Sequence, residues 1–200
     1  MKKISKTYVL MVLILLLGLT KAGISQDNIR RWEILNAEKV IVKVNNKIPY
    51  TVRMNYAEWI VDETSKYDRV STALVLGLIA QESRFRDSVN SHVGARGLGQ
   101  VMPPTAGDIC EHLKIPYVDG IEYNAKTNIQ MTTWYLNRMI LYYNSVSKAL
   151  AHYNGGQLEE GICMNTYGDK VLEMYKKNLT ECMSVWNIVK TQSWRISTSN

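Results

Sequence analysis

One run of eight residues limits the architecture more than any other. Ala73 to Ala80 reads ALVLGLIA and carries no polar side chain. A helix that is apolar on every side has no face to offer water, so this one is expected at the centre of a core. Two residues past the run stands Glu82. Further on, Gly94, Gly97 and Gly99 with Pro103 and Pro104 break any helix, which predicts a loop folded back over the helix end that carries Glu82. An acid and a wall make a cleft. Two effects of one sign then act on the carboxyl. The unpaired carbonyls at a helix C-terminus disfavour a second negative charge, and apolar neighbours such as Phe85, the chain's single phenylalanine, disfavour the ionised form by desolvation. A carboxyl kept protonated near neutral pH can give its proton to a leaving oxygen. The alternative is a structural glutamate that pairs locally with Arg84 or Arg86.

The rest of the chain fits one domain, since 200 residues bury a sizeable core and are too few to make two domains the natural reading. Lys2, Lys3 and Lys6 precede an apolar run of 12 residues, Tyr8 to Leu19, followed by Thr20-Lys21-Ala22. That is the pattern of an export signal. The run is short against the roughly 20 residues of a spanning helix, and a retained membrane anchor is the alternative. The formal charge of +6 depends on this segment, because its four lysines and absent acids leave +2 for the remainder. Nucleic-acid binding thereby loses its main support. Gln26 to Ala37 is predicted as a short helix. Val40 to Val52 (VIVKVNNKIPYTV) has β-branched residues on both sides of Asn45-Asn46, which predicts a short hairpin or else an irregular arm. From Tyr56 onward the periodicity is helical, over Tyr56–Lys66, Ser71–Ser83, Thr105–Leu113, Thr127–Tyr143, Ser145–Tyr153 and Tyr167–Lys177. The fold class is therefore all-α in the main.

Several chemistries leave no trace. There is no Gly-x-Ser-x-Gly elbow, and His92, His112 and His152 form no HExxH arrangement, so neither a serine nucleophile nor a metal site is expected. The glycines after Glu82 follow no strand and do not fit a dinucleotide loop. No cofactor is implied. Cys110, Cys163 and Cys182 allow one bridge in an oxidising compartment, with the pairing open. Asn178-Leu179-Thr180 matches a glycosylation acceptor by chance.

Glu82, Ser83 and Phe85, then Ser91, Gly94, Ala95, Gly97, Leu98 and Gln100, then Val101, Met102, Pro103, Thr105 and Ala106 stand at the spacing Glu-Ser-x-Phe, Ser-x-x-Gly-Ala-x-Gly-Leu-x-Gln, apolar pair, Pro-x-Thr-Ala. In this the chain resembles the lytic transglycosylase family related to goose-type lysozyme. Asn128, Ile129, Tyr135 and Leu136 continue the resemblance, as does Tyr153-Asn154-Gly155-Gly156. Thr132 and Gly155 depart from it, standing where that family has Gly and Ala. The resemblance spans roughly Tyr56 to Tyr175. It implies a lysozyme-like helical domain with Glu82 as the catalytic acid, which cleaves the β-1,4 bond between N-acetylmuramic acid and N-acetylglucosamine of peptidoglycan and leaves 1,6-anhydro ends. One acid suffices there, because the muramic C6 hydroxyl attacks its own anomeric carbon. Ser83, Gln100, Met102, Tyr153 and Asn154 are implied as substrate-binding residues, with Gln100 donating to sugar oxygens and Tyr153 orienting Glu82 by its hydroxyl.

The expected division is an export signal at 1–22, an N-terminal arm at 23–55, the transglycosylase domain at 56–178 and a tail at 179–200. The expected location is periplasmic or otherwise extracytoplasmic. Partners implied are peptidoglycan strands and a secretion, conjugation or phage machine, with no nucleic acid. The rivals are a lysozyme that uses water and a second carboxylate, and a non-catalytic wall-binding or assembly protein.

Overall fold

The computed structural model describes residues 26–155, 167–174 and 176. The segment 1–22, Cys163, Cys182, the Asn178 acceptor and the tail from Leu179 lie outside the described residues. The helices are α1 (Gln26–Val44), α2 (Tyr50–Thr64), α3 (Thr72–Glu82), α4 (Pro103–Leu113), α5 (Ala125–Tyr143) and α6 (Val146–Tyr153), and residues 167–174 form α7. A short 3-10 turn covers Ile121–Tyr123. Among the described residues there is no strand of a sheet, only two isolated bridges inside the loop, Asn90 with Arg96 and Arg96 with Val101.

Helix α3 is the buried centre that its composition demands. Every residue from Leu74 to Ala80 is buried, and the Ser71 side chain caps the start by accepting the Leu74 N–H. Around it lie Ala57, Ile60 and Val61 of α2, Ile129, Leu136 and Ile140 of α5, Ala149 and Leu150 of α6, and Val171 of α7. A second, smaller cluster joins Ala106, Ile109 and Cys110 of α4 to Met131 of α5, with Trp134 and Tyr135 packed against it. Helix α5 thus serves both clusters.

The expected hairpin is not formed. Val40–Val44 is the last part of α1, Tyr50–Val52 is the start of α2, and Asn45-Asn46 turns the chain between two helices. Of the β-branched residues that suggested strands, Val40 and Ile41 extend a helical stripe instead, in which Ile34, Ala37, Val40 and Ile41 recur at three- and four-residue spacing and are buried in the main cluster. Burial of that stripe outweighs a strand preference spanning only ~1 kcal/mol between residue types.

Candidate active site

Helix α3 delivers Glu82 and then ends abruptly. Ser83 closes it, and the next two residues, Arg84 (φ 53°) and Phe85 (φ 58°), are both left-handed. Two consecutive non-glycine residues there each cost on the order of 1–3 kcal/mol, and such strain persists only where the surroundings enforce it. Phe85 is buried in the main core, and Arg86 donates to the Ser83 carbonyl through its backbone N–H (3.2 Å) and through Nε (2.9 Å).

The loop after this turn is sealed against α5. Asn128, fully buried, accepts the Gly99 N–H on Oδ1 (2.7 Å) and donates from Nδ2 to the carbonyls of Glu122 (2.7 Å) and Arg96 (3.1 Å). The backbone comes so close that a Cβ at Gly97 would lie 2.2 Å from the Glu122 carbonyl oxygen, and one at Gly99 would lie 1.9 Å from Thr132 Oγ1. The loop can reach α5 only as glycine. Thr132, the departure from the family pattern, does not hold the two apart, because Gly99 supplies the missing space.

Glu82 is partly buried, and its pKa is pushed up from the usual 4.5 to about 7, first by desolvation, with a hydrogen bond from Tyr167 pulling the other way. The Tyr167 hydroxyl, brought in by α7, donates to Glu82 Oε1. Tyr153 lies near enough for the Glu82 charge to add to burial in keeping its phenol protonated. Its own proton goes elsewhere, to the Gly99 carbonyl at 2.9 Å. The expected orienting bond from Tyr153 to Glu82 is therefore made by Tyr167, and Tyr153 ties α6 to the loop.

The remaining expected site residues divide between two duties. Ser83 is fully buried and its hydroxyl donates to the Ile79 carbonyl (3.3 Å), within the helix end. Gln100, left-handed at φ 51°, donates both amide protons to loop carbonyls, Gly97 at 2.9 Å and Val89 at 3.2 Å. Since both partners are acceptors, the amide orientation is determined, and the group left to offer a ligand is its carbonyl oxygen, not the donor expected from sequence. Met102 (37 % exposed) and Asn154 are exposed at the ends of α4 and α6.

The two residues that sequence reasoning passed over are Tyr167 and Asn128 as a seal. Tyr167 stands 85 positions from its partner, and no local pattern marks it. A faint cue is Gly168, whose backbone lies against Ser147 and Leu150 of α6. Asn128 had a stronger one, an amide on a helix with apolar neighbours on the buried face.

Two other acids are occupied otherwise. Asp87 accepts the Tyr56 hydroxyl (2.7 Å), and Glu122, fully buried, faces Arg96 Nη1 (3.4 Å) and the Tyr117 hydroxyl (3.3 Å). Among the described residues no group of three or more His, Cys, Asp or Glu is placed to hold a metal ion.

Comparison with known proteins gives the same picture. The family described as Transglycosylase SLT domain matches residues 60–170, more than half of the chain. Among solved structures, the chain is similar to an inactive mutant of a lytic transglycosylase from Pseudomonas aeruginosa, with a TM-score of 0.56 and 19 % identity over 74 % of this chain and 30 % of that one. It is also similar to the 70-kDa soluble lytic transglycosylase of Escherichia coli, with a TM-score of 0.45 and 22 % identity over 76 % of this chain and 25 % of that one. The chain thus spans less than a third of the length of these structures. The first similarity is one of fold.

Proposed function

Because the chain belongs to the transglycosylase SLT domain family, we propose that it is a peptidoglycan lytic transglycosylase with Glu82 as its acid and base. The observation that carries this reading is the carboxyl itself, held at the end of a buried helix with its pKa raised to about 7 by desolvation. At neutral pH such a group is available in both forms. Protonated Glu82 gives its proton to the glycosidic oxygen as the bond to C1 of N-acetylmuramic acid breaks. The resulting carboxylate then takes the proton of the C6 hydroxyl as that oxygen bonds to C1, which closes the 1,6-anhydro ring and restores the acid. One carboxyl performs both transfers, and no water is consumed. The Tyr167 hydroxyl bond to Oε1 directs the carboxyl and steadies it while it is charged.

Met102 offers an apolar contact to a sugar ring, Asn154 an amide and Gln100 a carbonyl oxygen. Ser83 and Tyr153 act on substrate indirectly, one through the helix end and the other through the Gly99 carbonyl. The chain acts outside the cytoplasm, with 1–22 as its export signal, 23–55 and 56–178 as arm and transglycosylase domain, and 179–200 as a tail for a secretion, conjugation or phage machine. Removing that tail should spare activity on isolated wall while weakening any such complex.

The decisive test is mass spectrometry of peptidoglycan digested by the purified protein and by Glu82→Gln. Anhydro-muramyl ends that disappear in the mutant are expected, with a loss of at least ~100-fold. Reducing ends would mean hydrolysis instead, and no products from the wild type would sink the activity.

A further inference from the structure

The turn that follows Glu82 is held from outside the stretch that the family match covers. Asn45, between α1 and α2, donates from Nδ2 to the Arg84 carbonyl (3.1 Å), and Arg84 Nη2 donates back to the Val44 carbonyl (3.1 Å). These two bonds connect positions some 40 residues apart and converge on the first of the two left-handed residues. Val44 and Asn45 lie ahead of the matched residues 60–170. So does Tyr56, whose buried ring sends its hydroxyl to Asp87 (2.7 Å) three residues beyond Arg84. The α1–α2 corner therefore grips Arg84, and Tyr56 further along α2 holds Asp87, the two ends of the segment whose backbone departs from ordinary geometry directly after the acid.

We propose that Asn45 is a positioning residue for Glu82, acting through the Arg84 carbonyl to enforce the left-handed turn that fixes the direction of the α3 end and its carboxyl. The inference rests on the assigned role of Glu82. Its physical basis is that a left-handed arginine returns to a right-handed or extended backbone unless something outweighs the penalty. Here the outweighing contacts are the buried Phe85 ring on one side and the Asn45 amide on the other. Phe85 anchors the turn in the core, whereas Asn45 contributes one bond at the rim. Losing Asn45 should therefore leave the domain folded and loosen the acid. The side chain is suited to this, since its Oδ1 also accepts the Lys47 N–H (3.2 Å) and so sets the amide direction.

The test uses the full chain with two independent readings, the rate of anhydro-muramyl product formation and the NMR titration of the Glu82 side-chain carboxyl. Asn45→Ala should lower kcat roughly tenfold with KM within about twofold, because misplacement affects the reacting group and not sugar binding. Its melting temperature should stay within ~3 °C of wild type. The Glu82 midpoint should move down as the loosened turn admits water. Adding Arg84→Gly to Asn45→Ala should recover at least half of the lost rate, since glycine holds a left-handed turn unaided. An unchanged rate and midpoint in Asn45→Ala would overturn the proposal, as would a loss of rate matched by a loss of melting temperature that Arg84→Gly does not relieve. If the wild type makes no anhydro product, the assigned activity fails, and the Glu82 titration alone still decides whether Asn45 holds the turn.

Discussion

The two loop segments that follow Glu82 are secured in opposite ways. Residues 97–99 lie against α5, where a fully buried asparagine accepts the Gly99 N–H and binds the carbonyls of Arg96 and Glu122, with no room for an added carbon at Gly97 or Gly99. In residues 84–87 the Phe85 ring sits in the core, while Arg84 is gripped by the α1–α2 corner through bonds at the protein rim, with its side chain exposed. Buried bonds left unmade cost the desolvation of their partners, while rim bonds are replaced by water. The 97–99 segment is therefore part of the fold itself, whereas the bonds on Arg84 are a setting that can be altered while Phe85 keeps the fold intact.

The largest break in that contrast should come from Gly97→Ala. The new Cβ would stand 2.2 Å from the Glu122 carbonyl oxygen, a backbone atom with little freedom to retreat, and the residue is left-handed at φ 75°. A loss of at least ~3 kcal/mol is expected in denaturant unfolding, against ~1 kcal/mol for Gly94→Ala, which shares the positive φ but meets nothing. Equal losses at the two positions would mean that close approach to α5 contributes nothing.

Gly99→Ala should be smaller, and it should be curable. The obstacle is a side chain, Thr132 Oγ1, 1.9 Å from the new Cβ. Alone, the substitution should cost ~2–3 kcal/mol by overpacking. Combined with Thr132→Ala it should regain at least ~1 kcal/mol of that, a coupling visible in a double-mutant cycle. Strict additivity would show that Gly99 and Thr132 do not share one space.

This pair also marks how far the sequence could be read. Glycine and threonine each stood out, Gly99 as part of a loop and Thr132 as a departure on a helix, yet nothing in their spacing showed that one fits the other. Helix α3 and Glu82 were legible because burial and helix ends leave local patterns in composition. The Val40–Val52 corner was misread for a related reason. Its β-branched residues carried a local preference for strand, and the periodic stripe Ile34, Ala37, Val40, Ile41 that overrode it crossed the end assigned to the first helix. Tyr167 was invisible as a partner of Glu82, because a contact across 85 positions is made by the packing of α7 and by nothing in either neighbourhood. That the Gln100 amide is consumed was not legible, since the Gly97 and Val89 carbonyls come near it only in the folded loop.

The smallest expected effect on stability belongs to Tyr167→Phe, and it sharpens the contrast by acting on the proton and not on either segment. Burial raises the Glu82 pKa to about 7, and the bond from Tyr167 opposes that rise. The folded state thus holds the proton more tightly than the unfolded chain. The stability linked to it is fully present below the unfolded value of 4.5 and is lost as pH climbs through about 7. Removing the hydroxyl leaves desolvation unopposed, so the carboxyl should titrate higher still. The alkaline limb of kcat/KM, which reports the acid of the free protein, should move up by roughly half to one pH unit. Stability at pH 6 should change by no more than about 1 kcal/mol. A limb that moves down would show that the phenol favours the protonated carboxyl. A limb that stays near 7 while the rate falls would leave Tyr167 the task of directing the carboxyl and none in setting its charge.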